Sequence, residues 1–534
     1  MRGKKGVFMP EYLVFGPPGT GKTHYLTGQI KRAAEKHGPE SLLIGSLTRT
    51  AAREIAGRAI GEAGVERAQV GTLHAICYRL AGQPPLADTK EGRSAWNDWL
   101  PSQHGSFKLS ESGSALIDAE ETSQGATLGD ELKSSMDLYR ARRELDRSRW
   151  RMDVQEFADL WDQFRAEAEY WDFTELIEDA VDGRLRPPDG ATIGFFDEVQ
   201  DFSRLEHDLL RTWAKYLDTV ISVGDEDQAI YAWRGACPEA MIHHGLPKDN
   251  VRILKQSHRL REKVLKFSQE WIKHELRGER MEKDFMPREA GGSVQFSSGG
   301  RVDPGTLVDE IESCDGSAMV LASCSYMLQP VTAELRTRGI PFHNPYRPEA
   351  GAWNPMRGGA ARLEAFLREE QTWETVWQWL ELLDARRTGL VRSAKSIAKA
   401  QARGQDSRRW RVPPSELAGL FKTGLPELSV GWLRERLLQR GQKLLSYAFE
   451  VFDRHGAEAL RRRPRVSLCT IHSVKGGQAD HVFLLPDLSP GAIEDRAGTA
   501  RVMYVGITRA RESVTIATGM REARSASLKD VYIY

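Results

Sequence analysis

Residues 16 to 23, Gly16-Pro17-Pro18-Gly19-Thr20-Gly21-Lys22-Thr23, combine the residue types that hold a chain of phosphates. The glycines let backbone N–H groups approach phosphate oxygens, Lys22 brings a cation to the β and γ oxygens, and Thr23 offers a hydroxyl to magnesium. Much further along, Phe195-Phe196-Asp197-Glu198 delivers two adjacent carboxylates at the end of an apolar run. In that arrangement Asp197 suits a Mg2+ ligand and Glu198 suits a group that polarises an attacking water. Read alone, such a pair is as well explained as a solvated helix cap. The glycine loop upstream favours nucleotide phosphate chemistry instead.

These side chains need elements to carry them. Glu11 to Phe15 reads as a buried strand leading straight into the glycine loop, and His24 to Lys36 is helix-compatible. Further strands are expected at Leu42 to Ser46, Thr192 to Phe196 and Thr219 to Val223, alternating with helical stretches, which implies a largely parallel sheet. Residues 80–169 lack that strand pattern and carry Trp96, Trp99, Trp150 and Trp161 among charged, helix-compatible sequence. A second alternating pattern follows His258-Arg259, with strands expected at Ser293 to Phe296, Ala318 to Ala322, Val466 to Ile471, His481 to Leu485 and Ser513 to Ala517. It too is interrupted, by residues 346–463, whose Arg386 to Arg411 stretch holds nine Arg and Lys against one acidic residue, Asp406.

The fold class expected is therefore α/β, with two cores each interrupted by a mainly helical insertion. The expected boundaries are 1–79 and 170–255 for the first core, 80–169 for its insertion, 256–345 and 464–534 for the second core, and 346–463 for a reduced second insertion. A length of 534 residues agrees with several domains of about 150 residues each.

Composition narrows the partners. The chain has 75 Lys and Arg against 75 Asp and Glu, so any nucleic-acid surface is local rather than global. No run of 18 apolar residues exists, and the basic start Met1 to Lys5 lacks the apolar core of a signal peptide, so no membrane partner is expected and a cytoplasmic setting is. Cys77, Cys237, Cys314, Cys324 and Cys469 show no paired spacing, against both a zinc site and an iron–sulfur cluster.

At this depth the motifs become specific. Asp197-Glu198-Val199-Gln200-Asp201 resembles the D-E-x-Q-D box of UvrD/Rep-type superfamily 1A helicases, and Val223 to Ala236 (VGDEDQAIYAWRGA) resembles their third motif almost residue for residue. The pattern continues with Leu47 to Ala52, Gly71 to His74, Gln256 to Arg259, Thr470 to Gly476 and Tyr504 to Ala510, and the D-F-x-D-L-L element that closes the family's first insertion is similar to Trp171 to Leu176.

The resemblance implies two RecA-like P-loop NTPase cores that share one ATP with Mg2+. In it Gln228 senses the γ-phosphate, while Arg259 and Arg509, from the second core, stabilise the transferring phosphoryl group. It implies single-stranded DNA and single-strand/duplex junctions as partners, with Tyr231 and Trp233 on the base-stacking track and Thr48, Arg49, Thr72, His74 and His472 in phosphate-contacting segments. Protein partners of replication, repair or defence are compatible with it. His258 stands where the family often has an adenine-stacking tyrosine, Gln478 where it has a ribose-binding glutamate, and Leu47 and Leu73 replace phenylalanines. The second insertion is shorter than in the large bacterial repair enzymes and the chain ends soon after Arg509, which fits a compact, phage-encoded form acting in a bacterial or phage-infected cell.

Two functions follow from the resemblance. One is an ATP-dependent helicase moving 3′ to 5′ along single-stranded DNA; the other is an ATP-gated helicase-like subunit of a repair or anti-phage defence complex. A P-loop nucleotide kinase is disfavoured, because it has no use for a second core that supplies Arg509.

Overall fold

In the computed structural model, strand β1 (Glu11–Phe15) enters the glycine loop, which opens the helix Lys22–His37. The structure describes residues 11–46, 51, 55, 58, 70–111, 127–297, 303–347, 351, 353–404, 407–409 and 411–517. Two compact units are present. The first takes the described residues of Met1–Val294 and Ser489–Glu512, the second those of Gln295–Leu488 and Ser513–Ala526. Residues 256–294 and 489–512, expected from sequence in the second core, therefore pack in the first unit.

The first unit is built on β1 with β2 (Leu42–Ser46), β3 (Val70–Thr72), β4 (Ile193–Asp197), β5 (Thr219–Gly224) and β6 (Val251–Ile253). Their order is β3-β2-β4-β5-β1-β6, and the pairings are parallel. The central strands β2 and β4 are buried at every position, as parallel strands covered on both sides must be. Val14, Ile44, Phe195 and Val223 pack with Leu26 and Ile30 of the first helix, while Leu13, Phe15, Leu43 and Phe196 join Ile76, Leu209 and Trp213 on the opposite face.

Register decides where chemistry can occur. Phe15 pairs with Gly224 and with Ile253, and Phe196 pairs with Ser222. The carboxyl ends of β4, β5, β1 and β6 consequently lie along one sheet edge, the place where open parallel sheets bind ligands.

Between β3 and β4 the described residues are mainly helical, including Lys90–Trp99, Leu128–Ala141 and Met152–Ala168. Trp96, Phe157, Trp161 and Phe164 form their own core, joined by Trp150 and flanked by the partly buried Trp99. The two ends of this region are tied together, since Trp171 N donates to Pro85 O at 2.9 Å and Ala87 N to Trp171 O at 2.7 Å.

A second sheet has β7 (Ser293–Phe296), β8 (Ala318–Ala322), β9 (Phe342–His343), β10 (Val466–Thr470), β11 (Ala479–Leu484) and β12 (Ala510–Ile516) in the order β7-β12-β11-β8-β10-β9. The pairings of β8 with β10 and β11, and of β10 with β9, are parallel. Helices such as Trp373–Leu380, Ala394–Ala402 and Gln439–His455 lie between β9 and β10 and share one apolar core with the strands. Among the described residues no helix is long and apolar enough to cross a membrane.

Candidate active site

The glycine loop is held at the sheet edge by Gly16 N, which donates to Gly224 O at 2.9 Å. Gly19 and Gly21 both take φ of 76°, a left-handed backbone that glycine adopts without strain. At Gly16 a Cβ would come within 2.0 Å of Lys22 Cγ, because the lysine folds back over the loop and its Nζ donates to Gly16 O at 3.0 Å. The helix that follows has no side-chain cap and no acid in its first turn. Its N–H groups and positive dipole end are thus available to an anion.

At the end of β4, Asp197 is buried and Glu198 sits at φ 54°, a conformation uncommon for a residue with a Cβ. Glu198 N donates to Asp197 Oδ1 at 3.0 Å. Gln200, fully buried, donates through Nε2 to the Glu198 carboxylate and accepts from Asp225 N at 3.0 Å, so it joins the ends of β4 and β5. Gly224 is required beside it, since a Cβ there would lie 2.5 Å from Gln200 Oε1.

From β5 the chain turns through Asp225 to Gln228. Gln228 Nε2 donates to Asp225 Oδ2 at 2.5 Å, and Gln228 Oε1 accepts from an Arg509 NH2 at 3.2 Å. Arg509 follows the helix Arg496–Ile507 and is 1% exposed; its Nε donates to Val505 O at 2.9 Å. The residue before it, Thr508, accepts at its carbonyl from Arg259 at 3.1 Å. Arg259 itself lies against the glycine loop, where a Cβ on Gly19 would meet Arg259 Cβ at 2.5 Å. Two hydrogen bonds dock that segment: Ser257 Oγ donates to Pro18 O at 2.9 Å and His258 N to Gly19 O at 2.8 Å.

A continuous series of contacts therefore runs from Glu198 through Gln200, Asp225, Gln228, Arg509, Thr508 and Arg259 to Gly19. Lys22, Asp197, Glu198, Gln228, Arg259 and Arg509, all singled out from sequence, come together within the first unit. His258 is exposed on the segment docked against the loop. Gln478 and His472 belong to the second unit, Gln478 exposed and His472 half-buried in the turn after β10. Thr48 and Arg49 lie outside the described residues.

Of the remaining nucleic-acid candidates, Tyr231 and Trp233 meet edge to face at 6.1 Å, with Trp233 exposed. Thr72 caps the helix Leu73–Leu80 by accepting from Ala75 N at 3.2 Å. His74 packs edge-on against Phe173 at 6.1 Å with Glu206 at 3.9 Å, and burial holds its imidazole below the ordinary range despite that carboxylate. A neutral imidazole in this setting is a weaker phosphate contact than the cation would be.

Asp197, buried at the end of β4, and Thr23, in the first turn of the helix after the glycine loop, would offer Mg2+ the oxygen ligands it prefers. Among the described residues no group of three or more His, Cys, Asp and Glu is arranged to hold a metal by itself.

Comparison with known proteins bears directly on this arrangement. Residues 7–245 match the UvrD/REP helicase N-terminal domain, and residues 466–517 match the UvrD-like helicase C-terminal domain. The chain belongs to the UvrD/Rep helicase family. Relatives include the ATP-dependent DNA helicase PcrA of Staphylococcus epidermidis, 26% identical over 313 residues, which are 53% of this chain and 41% of that protein. The PcrA of Bacillus subtilis is 24% identical over 290 residues, covering 49% of this chain and 37% of the relative. A putative ATP-dependent DNA helicase of the same organism, YjcD, is 24% identical over 245 residues, or 43% of this chain and 32% of the relative. These matches span roughly a third to two fifths of the relatives' own lengths.

Sequence reasoning assigned no role to Gln200, Ser257 or Lys283. Gln200 and Ser257 stand inside motifs that resemble the family's, next to residues that received roles. Lys283 has no such neighbour.

Proposed function

We propose that this chain is an ATP-dependent DNA helicase that translocates 3′ to 5′ along single-stranded DNA and separates the duplex ahead of it. The observation that carries the reading is the meeting of Arg259 and Arg509 with the glycine loop and Gln228. A simple nucleotide-binding domain has no need of two arginines brought from segments so distant in sequence.

In this reading the uncapped helix end and Lys22 bind the β- and γ-phosphates, and Asp197 with Thr23 holds Mg2+, which offsets phosphate charge when bound. Glu198 accepts a proton from the attacking water, its carboxylate fixed by Gln200. Arg259 and Arg509 stabilise negative charge that develops on the γ-phosphoryl oxygens. Gln228 is bonded to Arg509 on one side and leads, within a few residues, to Tyr231 and Trp233 on the other. That short connection supports transmission of the phosphate state to a stacking platform for bases. The domain division proposed remains two RecA-like cores with a helical insertion in each, the insertions spanning 80–169 and 346–463.

Steady-state ATPase with and without single-stranded DNA, followed by unwinding of 3′-tailed and 5′-tailed duplexes, tests the whole reading. DNA-stimulated turnover with unwinding of the 3′-tailed substrate is expected. Turnover indifferent to DNA, or preference for the 5′ tail, would overturn motor or polarity respectively.

A further inference from the structure

Lys283 is 1% exposed and lies outside every motif that resembles the family's. Its Nζ stands 2.7 Å from Asp225 Oδ1, 2.6 Å from Glu226 Oε2 and 2.9 Å from Asp227 Oδ2, three carboxylates that are themselves fully buried. Arg280 adds a two-pronged contact to Asp227, donating from Nε at 3.0 Å and from NH2 at 2.6 Å. Met281 N donates to Glu226 Oε1 at 2.9 Å, and Arg501 Nε to Glu226 O at 3.0 Å.

We propose that Lys283 is a positioning residue for ATP hydrolysis, fixing the Asp225 carboxylate so that Gln228 keeps its amide oxygen turned toward Arg509. This rests on the helicase reading of the same site.

The two oxygens of Asp225 have different partners. Oδ1 accepts from Lys283 and Oδ2 accepts from Gln228 Nε2. Because Asp225 takes the NH2 end of the Gln228 amide, the Oε1 end is left to accept from Arg509. A flipped amide would aim two N–H donors at a guanidinium, which has no acceptor. Lys283, bonded to Oδ1, holds the carboxylate with Oδ2 facing that amide.

Without Lys283, the buried Asp225 and Glu226 carboxylates would lose an ammonium at 2.7 and 2.6 Å, while Arg280 stays on Asp227. Burial already pushes the Glu226 carboxyl up to about 7 despite Lys283 beside it. Removing the ammonium would release Asp225 Oδ1 from its bond, so that the carboxylate could rotate. Rotation would carry Oδ2 away from Gln228 Nε2, and Gln228 would lose the bond that orients it.

Cohesion alone gives a poor account of this cluster. Burying an ammonium among carboxylates carries a desolvation cost that apolar side chains of similar volume avoid. The cluster joins the residue that contacts Arg509 to the segment 280–283, which packs beside it in the same unit.

The test is a double-mutant cycle on the full chain, with Lys283→Met, Gln228→Ala and the combination, reading maximal DNA-stimulated turnover, the KM for ATP and ADP affinity. Lys283→Met should lower maximal turnover by on the order of tenfold or more, with little change in ADP affinity, and Lys283→Arg should restore part of it. The combined variant should match Gln228→Ala alone, because both act through one amide. Effects that multiply would overturn the proposal and leave the helicase reading intact. A native chain without DNA-stimulated turnover would instead defeat the reading on which it rests. If circular dichroism shows Lys283→Met unfolded, Lys283→Met/Glu226→Gln, which keeps the net charge of the cluster, takes its place in the same cycle with the same two outcomes.

Discussion

Arg509 donates to the side-chain oxygen of Gln228 at 3.2 Å while remaining almost wholly buried. A guanidinium with five N–H donors is costly to bury, and the acceptors around it include carbonyl, hydroxyl and amide oxygens. Such a cation gains most when negative charge develops nearby.

Arg509→Ala is accordingly expected to reduce turnover by about 10³-fold or more while nucleotide affinity changes far less. Stopped-flow ADP binding beside steady-state ATPase separates the two. Equal losses in both would mean that the residue serves binding or folding, not the transition state.

How much of this could be read from sequence differs residue by residue. The apolar runs Leu42–Ser46 and Ala318–Ala322 are strands with the expected bounds, because burial on both faces leaves a continuous apolar signature. The strands Val70–Thr72, Val251–Ile253 and Phe342–His343 are too short to show a period and were not legible. Taken without the family resemblance, Arg509 reads as a surface arginine on a helix. The helix before it is buried from Ala500 to Ile507, so no polar face marks which way its end points. Lys283 sits in the polar stretch Gly278-Glu279-Arg280-Met281-Glu282-Lys283-Asp284, and its carboxylate partners lie more than fifty positions earlier. Long-range charge pairing leaves no local pattern, whereas the glycine loop is a local device and was legible in full.

Glu198→Gln should bind ATP and Mg2+ but hydrolyse on the order of 100-fold more slowly, since the amide cannot take the proton of water. Gln200 touches the Glu198 side chain, so Gln200→Ala should show a smaller loss of the same kind. Single-turnover hydrolysis measures both, and normal rates for Glu198→Gln would remove it from the proton-accepting role.

Glu226 gives the fold a pH dependence of definite sign. Burial, opposed by Lys283, raises its carboxyl from the ordinary 4.5 to about 7, so the native state binds this proton more tightly than the unfolded chain does. Its stabilising effect is full below about 4.5 and is lost as pH rises through about 7. Thermal midpoints of the native chain and of Glu226→Gln should therefore diverge between those limits, with the variant gaining relative stability as pH rises. Parallel curves would show that the carboxyl titrates normally.

The basic stretch from Arg386 to Arg411 separates into two kinds of side chain. Lys395 donates to the carbonyl oxygens of Glu381 at 3.1 Å and Leu383 at 2.6 Å, and burial lowers its ammonium from the usual range, so it fastens two chain segments. Arg408 and Arg411 pair with Glu374 at 2.9 Å and Glu370 at 2.7 Å. Arg386, Arg392 and Arg403 are exposed, as is Arg387, which stands 3.8 Å from the Asp384 carboxylate. These four are among the exposed cations suited to duplex phosphates, Lys399 and Arg409 being exposed too. Replacing the four with glutamine while keeping Lys395 should weaken binding to tailed duplex and reduce the slope of log affinity against log salt by about 0.9 for each phosphate no longer neutralised. ATPase stimulated by single-stranded DNA should stay close to native. Fluorescence anisotropy over a salt series reads the effect, and an unchanged affinity and slope would make the stretch a solvated surface, with duplex engagement residing elsewhere.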